Sequence, residues 1–127
     1  MSLRNYLATF HEGIQKLEDY GYTESTEIRE EIRPNKQAVI KGKIVLVDGS
    51  VLHIKEYIDA KYKIERVSYA YQYQDRDGEL IFRYDNAEHH KEIETYPYHK
   101  HVTNEVLPSD ILSLKEVIKE ILKTLIR

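Results

Sequence analysis

Four of the six histidines fall between His89 and His101, where the pair His89-His90 and the triplet His99-Lys100-His101 are separated by the spacer KEIETYPY. Imidazole titrates near neutrality, so two such side chains can act as general base and general acid in one reaction. Just upstream runs Arg83-Tyr84-Asp85-Asn86. A guanidinium can neutralise an anionic transition state, a phenol can position a group or donate a proton, and a carboxylate can orient an imidazole through its ring N–H. Arg83, Tyr84, Asp85, His89, His90, His99 and His101 are therefore the candidate catalytic set, with Lys100 as a second cation.

These residue types suit a metal-independent ribonuclease. The 2′-hydroxyl of RNA is the internal nucleophile, so the protein need supply only proton transfer and charge neutralisation. A metal centre is the competing chemistry. The chain has no cysteine and no HExxH spacing. Adjacent residues such as His89 and His90 point to opposite sides of an extended chain, whereas His99 and His101 can share a face. No metal and no cofactor is expected on these grounds. A structural role is the third reading: Asp85-Asn86 ends a strand through an Asx turn, and the histidines bond backbone groups that hold a loop on the sheet. Lys41, Lys43 and Lys55 read as a solvated face, and the stripe Tyr69, Tyr71, Tyr73 as cross-strand packing.

FRYDNAEHH followed by TYPYHKHV resembles the TumE-like toxin family of type II toxin–antitoxin modules. Members of that family are similar in having an RYDN segment, a nearby histidine pair and an HKH segment before a C-terminal helix. The likeness runs back through Asp48-Gly49-Ser50 and covers roughly residues 25–127. The resemblance implies the toxin component of a module, with an antitoxin protein as partner. RNA as the target follows from the residue types. The alternative is a non-catalytic binding module whose histidine-rich loop recognises a protein partner or a metal.

The elements that must position these residues belong to a chain of 127 residues, enough for a single domain, 1–127, with one core. Apolar residues make up 41% and charged residues 32%, the balance of a globular rather than a disordered chain. A formal net charge of −3 argues against strong non-specific nucleic-acid binding while leaving room for a local basic site. No apolar run approaches the ~20 residues of a membrane span, so no membrane partner is expected and the cytoplasm is the default compartment. A homodimer is a further expectation. Eleven tyrosines against two phenylalanines suit strands with one wet face, since tyrosine joins apolar area to a polar tip.

Leu3, Tyr6, Leu7, Phe10, Ile14 and Leu17 recur at helical spacing over residues 3–20, with Ser2 to cap the start and Gly21 to end it. That helix packs on a sheet or serves as an oligomer or antitoxin contact. Residues 24–33 alternate weakly and fit an edge strand or more helix, up to the break at Pro34-Asn35. Residues 37–47 alternate cleanly, Asp48-Gly49 signals a hairpin, and 51–59 return, with Glu56 falling on the otherwise apolar face. A strand over 62–75 carries Val67, Tyr69, Tyr71 and Tyr73 on one face; Asp75-Arg76-Asp77-Gly78 turns it into a strand over 79–84. Residues 85–108 read as a loop. Ser113 and Glu116 have capping-box spacing ahead of a final helix with the stripe Val117, Ile118, Ile121, Leu122, Leu125. The expected fold is α+β: an antiparallel meander of four to five strands with an N-terminal and a C-terminal helix packed on it.

Overall fold

A computed structural model of the chain describes residues 2–87, 97–102, 105–109 and 113–125. His89 and His90 lie outside the described residues. The chain opens with α1 (Leu3–Asp19). Ser2 caps it, its Oγ accepting from the Asn5 N–H at 3.1 Å, a bond worth about 1 kcal/mol. Gly21, at φ 77°, ends it: Gly21 N–H donates to Glu18 O and Tyr22 N–H to Leu17 O, the paired closure that a left-handed residue makes available. Phe10, Ile14 and Leu17 form its buried stripe.

Strands β1 (Thr23–Arg33), β2 (Gln37–Leu46), β3 (Val51–Asp59), β4 (Glu65–Gln74), β5 (Leu80–Asp85), β6 (His99–Val102) and β7 (Glu105–Pro108) follow, and α2 (Leu114–Leu125) comes last. The strands form one antiparallel sheet whose spatial order is the chain order. Short turns enforce this. Gly49 takes φ 86° and Gly78 φ 84°, and the preceding aspartates fold each turn: Asp48 Oδ1 accepts from Ser50 N–H, and Asp75 Oδ1 from Asp77 N–H and Glu79 N–H.

Strand alternation sorts the sheet into two faces. Ile40, Ile44, Leu46, Leu52, Ile54, Ile58, Tyr71, Tyr73 and Phe82 point one way and pack with Phe10, Ile14 and Leu17 of α1 and Leu114, Val117, Ile118 and Ile121 of α2. Both helices therefore cover the same face. At the start of α2 the capping box is reciprocal: Glu116 N–H donates to Ser113 Oγ at 3.4 Å, and Ser113 N–H donates back to Glu116 Oε1 at 3.3 Å.

The α+β antiparallel architecture is as expected, but among the described residues the sheet has seven strands rather than four or five. β1 resolves the ambiguous segment 24–33 as strand. β6 and β7 lie in the stretch read as loop. Each is four residues long, too short to show an apolar alternation of its own, and the pairing with β5 supplies the order that periodicity could not signal.

A second correction concerns β4. Tyr57 pairs with Ser68 and Ile58 with Arg66, so Val67 is the extra residue of a bulge and stands 49% exposed instead of joining the tyrosine stripe. The bulge turns Arg66 onto the helix-covered face. There its guanidinium lies 4.1 Å over the Tyr69 ring and donates to Tyr71 Oη at 2.5 Å. Tyr71 in turn donates to Glu56 Oε2 at 2.7 Å, and the Tyr6 hydroxyl of α1 donates to Glu56 Oε1. Glu56, 1% exposed, is thus the buried carboxylate on which α1 is anchored. Burial, reinforced by the Glu56 charge, pushes both tyrosine hydroxyls well above the ordinary phenol range, so they remain donors.

Candidate functional site

The opposite face of the sheet carries the candidate chemistry. Arg83 and Asp85 are two residues apart on β5 and so share that face; His99 and His101 do the same on β6. The register sets Arg83 opposite His101 and Asp85 opposite His99. One antiparallel pairing therefore brings four of the seven candidates together.

Asp85 is the centre. Its carboxylate is buried, and an isolated buried charge would be costly without partners. Oδ2 lies 2.9 Å from Arg83 Nε and 3.2 Å from His101 Nε2; Oδ1 lies 2.6 Å from His99 Nε2 and accepts the Ala87 N–H at 3.1 Å. The His99 Nδ1 lies 2.7 Å from the Pro97 carbonyl oxygen, so both ring nitrogens of His99 face oxygen acceptors. The two imidazoles meet edge to face, with centroids 4.7 Å apart. Arg83 also donates from Nη1 to Gln72 Oε1 at 3.0 Å, which fixes its fork against β4.

Exposure divides the labour. The His99 side chain is 1% exposed and that of Asp85 3%, whereas Arg83 and His101 keep 40% and 19%. His101 and Arg83 thus reach solvent, and Asp85 and His99 lie buried behind them. Three ligand-type atoms, one each from Asp85, His99 and His101, lie within 4.8 Å of one another, so the same cluster has the donor set of a metal site with two imidazoles and one carboxylate.

Tyr84 is not brought to this cluster. Strand alternation turns it to the helix-covered face, where it donates to Glu120 Oε1 at 2.7 Å and burial pushes its hydroxyl up. Lys100 shares that side, 3.3 Å from Glu120 Oε1 and 4.9 Å from the Tyr84 ring. Asn86 acts as an extension of the sheet: its Oδ1 accepts from Tyr69 N–H at 2.9 Å and its Nδ2 donates to Val67 O at 3.1 Å, closing the ladder at the β4 bulge. The RYDN segment thus alternates site, core, site and sheet end.

Two neighbours escaped notice in the sequence. Gln72, opposite Arg83, and His53, opposite Gln72, line a shallow groove of about 310 Å³ with Lys55 and Ala70, running up to Arg83. The signal was available for one of these registers: the Gly78 turn joins β4 to β5 and sets Gln72 opposite Arg83, whereas residues 60–64, which join β3 to β4, contain no glycine. Partial burial, together with the charge of Lys43 opposite, lowers the pKa of His53.

None of the helices among the described residues is long and apolar enough to cross a membrane. No curated protein matches the chain, and neither does any solved structure. The family model described as toxin TumE matches residues 14–127, a span that takes in the last turns of α1, the whole sheet and α2, and the chain belongs to that family.

Proposed function

We propose that the protein is the toxin of a toxin–antitoxin module and that it cleaves RNA at the Arg83–Asp85–His101 cluster without a metal ion. Family membership supports the toxin role. The observation that carries the chemistry is the sharing of one buried carboxylate by an accessible guanidinium and an accessible imidazole. Asp85 beside Nε2 favours the tautomer with the proton on that nitrogen, which gives the lone pair to Nδ1. That ring takes the proton of the ribose 2′-hydroxyl. The 2′-oxygen attacks phosphorus, the bond to the 5′-oxygen breaks, and the imidazolium returns its proton to that oxygen. The products are a 2′,3′-cyclic phosphate and a free 5′-hydroxyl. Arg83 offsets the charge that builds on the phosphoryl oxygens. His99 holds the other carboxylate oxygen of Asp85, Oδ1.

The test is incubation of the purified chain with single-stranded RNA, with end-group analysis of the fragments. Cyclic phosphate ends that vanish in H101Q and R83Q support the reading; intact RNA over a wide range of sequences overturns it. The module role is tested by co-expressing the neighbouring gene and asking whether growth arrest is relieved.

A second reading is favoured by the compact Asp85–His99–His101 donor set: a divalent transition metal held by these three groups. Elemental analysis of protein purified without chelator distinguishes the two.

A further inference from the structure

We infer that the open face of the sheet, from β2 to β6, is a track for the phosphate backbone of a single nucleic-acid strand that leads to His101. This rests on the proposed RNA reaction and names the surface that would deliver its substrate. The observation is a cross-strand row. Lys43 pairs with His53, His53 with Gln72, Gln72 with Arg83, and Arg83 with His101. Residues in one cross-strand row project from the same face, so cations and hydrogen-bonding groups line up over four strand spacings, about 19 Å. A parallel row adds Lys41 opposite Lys55, with Ala70 next in line. The alanine leaves the space that forms the groove beside Arg83.

Charge supports one occupant. On this face β2 to β5 carry four permanent cations, Lys41, Lys43, Lys55 and Arg83. Their acids are Asp85, already ringed by donors, and the cross-strand pair Asp59 and Glu65 at the strand end, away from Lys43, where Asp59 is bonded to Gln37 and the Lys61 N–H. Glu27 stands opposite Lys43 on β1 and ends the row there. The net charge of −3 thus hides a local cationic strip. Neither helix covers this face, since both pack on the other one. A flexible polyanion fits a shallow open strip better than a folded acidic surface does, because each phosphate can settle against its own cation.

The test uses the full chain and a fluorescent 12-nucleotide single-stranded DNA, which lacks the 2′-hydroxyl and is not cut. Anisotropy titrations at several salt concentrations give affinity and salt slope. K43E/K55E is expected to weaken binding at least about tenfold and to flatten the slope by one to two units, as expected for the loss of about two phosphate contacts. K43R/K55R should restore both, and K61E/K63E, on the β3–β4 turn, should leave them near wild type. Thermal melts confirm that each variant folds. Equal affinity for wild type and K43E/K55E overturns the track, as does tighter binding of a polyglutamate peptide than of the oligonucleotide, which would assign the strip to an acidic protein segment. Binding that behaves as expected while RNA stays uncut keeps the track and removes the reaction; RNA cleavage undiminished in K43E/K55E keeps the reaction and removes the track.

Discussion

Arg83 and His101 converge on a single oxygen atom: Asp85 Oδ2 lies 2.9 Å from the Arg83 Nε and 3.2 Å from the His101 Nε2. The carboxylate therefore fixes the distance between a permanent cation and a titratable ring. Asp85→Asn removes the charge and presents an amide that can donate where both partners need an acceptor. RNA cleavage should fall by ~100-fold or more, on the scale expected when an acid–base residue loses its orienting group. Stability should fall by about 1–3 kcal/mol from the mismatched buried polar groups. Rate and urea midpoint measured together separate the two; a variant that loses stability but cleaves at the wild-type rate would take Asp85 out of the mechanism.

The buried Glu56 makes a different prediction. Tyr6→Phe should cost about 1.5–3 kcal/mol, since it deletes a hydrogen bond to a charged group and leaves Glu56 Oε1 short of a donor. Glu56→Gln should cost a similar amount by turning an amide hydrogen towards a tyrosine hydroxyl that is itself a donor. The double variant should cost less than the two singles added, with a coupling above ~0.5 kcal/mol in a urea-denaturation cycle. Strict additivity would mean that Tyr6 and Glu56 do not act as one unit. RNA cleavage should survive in Tyr6→Phe at temperatures where it stays folded, because α1 and the Asp85 cluster lie on opposite faces of the sheet.

The α1 stripe, the two glycine hairpins and the alternation of β2 and β3 were legible because each is a local pattern with its own turn or cap. Glu56 was visible as an oddity on an apolar face, but its partners were not: Arg66 reaches it only through the Val67 bulge, and nothing in an alternating pattern marks the one extra residue. The site was half legible. Its residue types stand out, and the spacing of His99 and His101 lets them share a face if that segment is extended. The separation of Tyr84 from Arg83 and Asp85 follows from alternation along a single strand, yet clustering in sequence suggested otherwise. What the sequence could not show was the pairing of HKHV with β5, since four residues carry too little pattern to declare a strand.

Purified protein should carry no stoichiometric transition metal, and chelation should leave cleavage unchanged. Inductively coupled plasma analysis checks this directly. Near one equivalent of zinc or nickel, lost in Asp85→Asn and His101→Gln together with activity, would replace the acid–base reading with the metal one.

His53 gives a pH dependence whose sign can be worked out. Three cations surround it: Lys43 opposite on β2, Lys55 two residues on along β3, and Arg83 beyond Gln72 in the same groove. Partial burial and Lys43 lower its pKa below the ordinary value of 6.5. The neutral ring is therefore the form that the fold prefers. Above pH 6.5 both folded and unfolded chains hold it neutral, and it contributes nothing to the pH dependence. As pH falls below that value the unfolded chain takes up the proton first, so the unfolded state binds more protons and stability declines. The decline ends once pH passes below the folded-state pKa. His53→Gln keeps a polar side chain and removes the titration, so its urea midpoint should fall less than that of wild type between pH 7 and 5. Every other group is common to both proteins, so the difference between the two curves isolates His53. A bound phosphate reverses the local balance: an anion among these cations favours the imidazolium, so the 12-nucleotide strand should bind more tightly to wild type as pH falls and raise the wild-type midpoint most at the acid end. Parallel midpoint curves without the strand would show that the environment of His53 does not disfavour its charge. Parallel curves with the strand present, after a difference without it, would place the bound phosphates away from this residue.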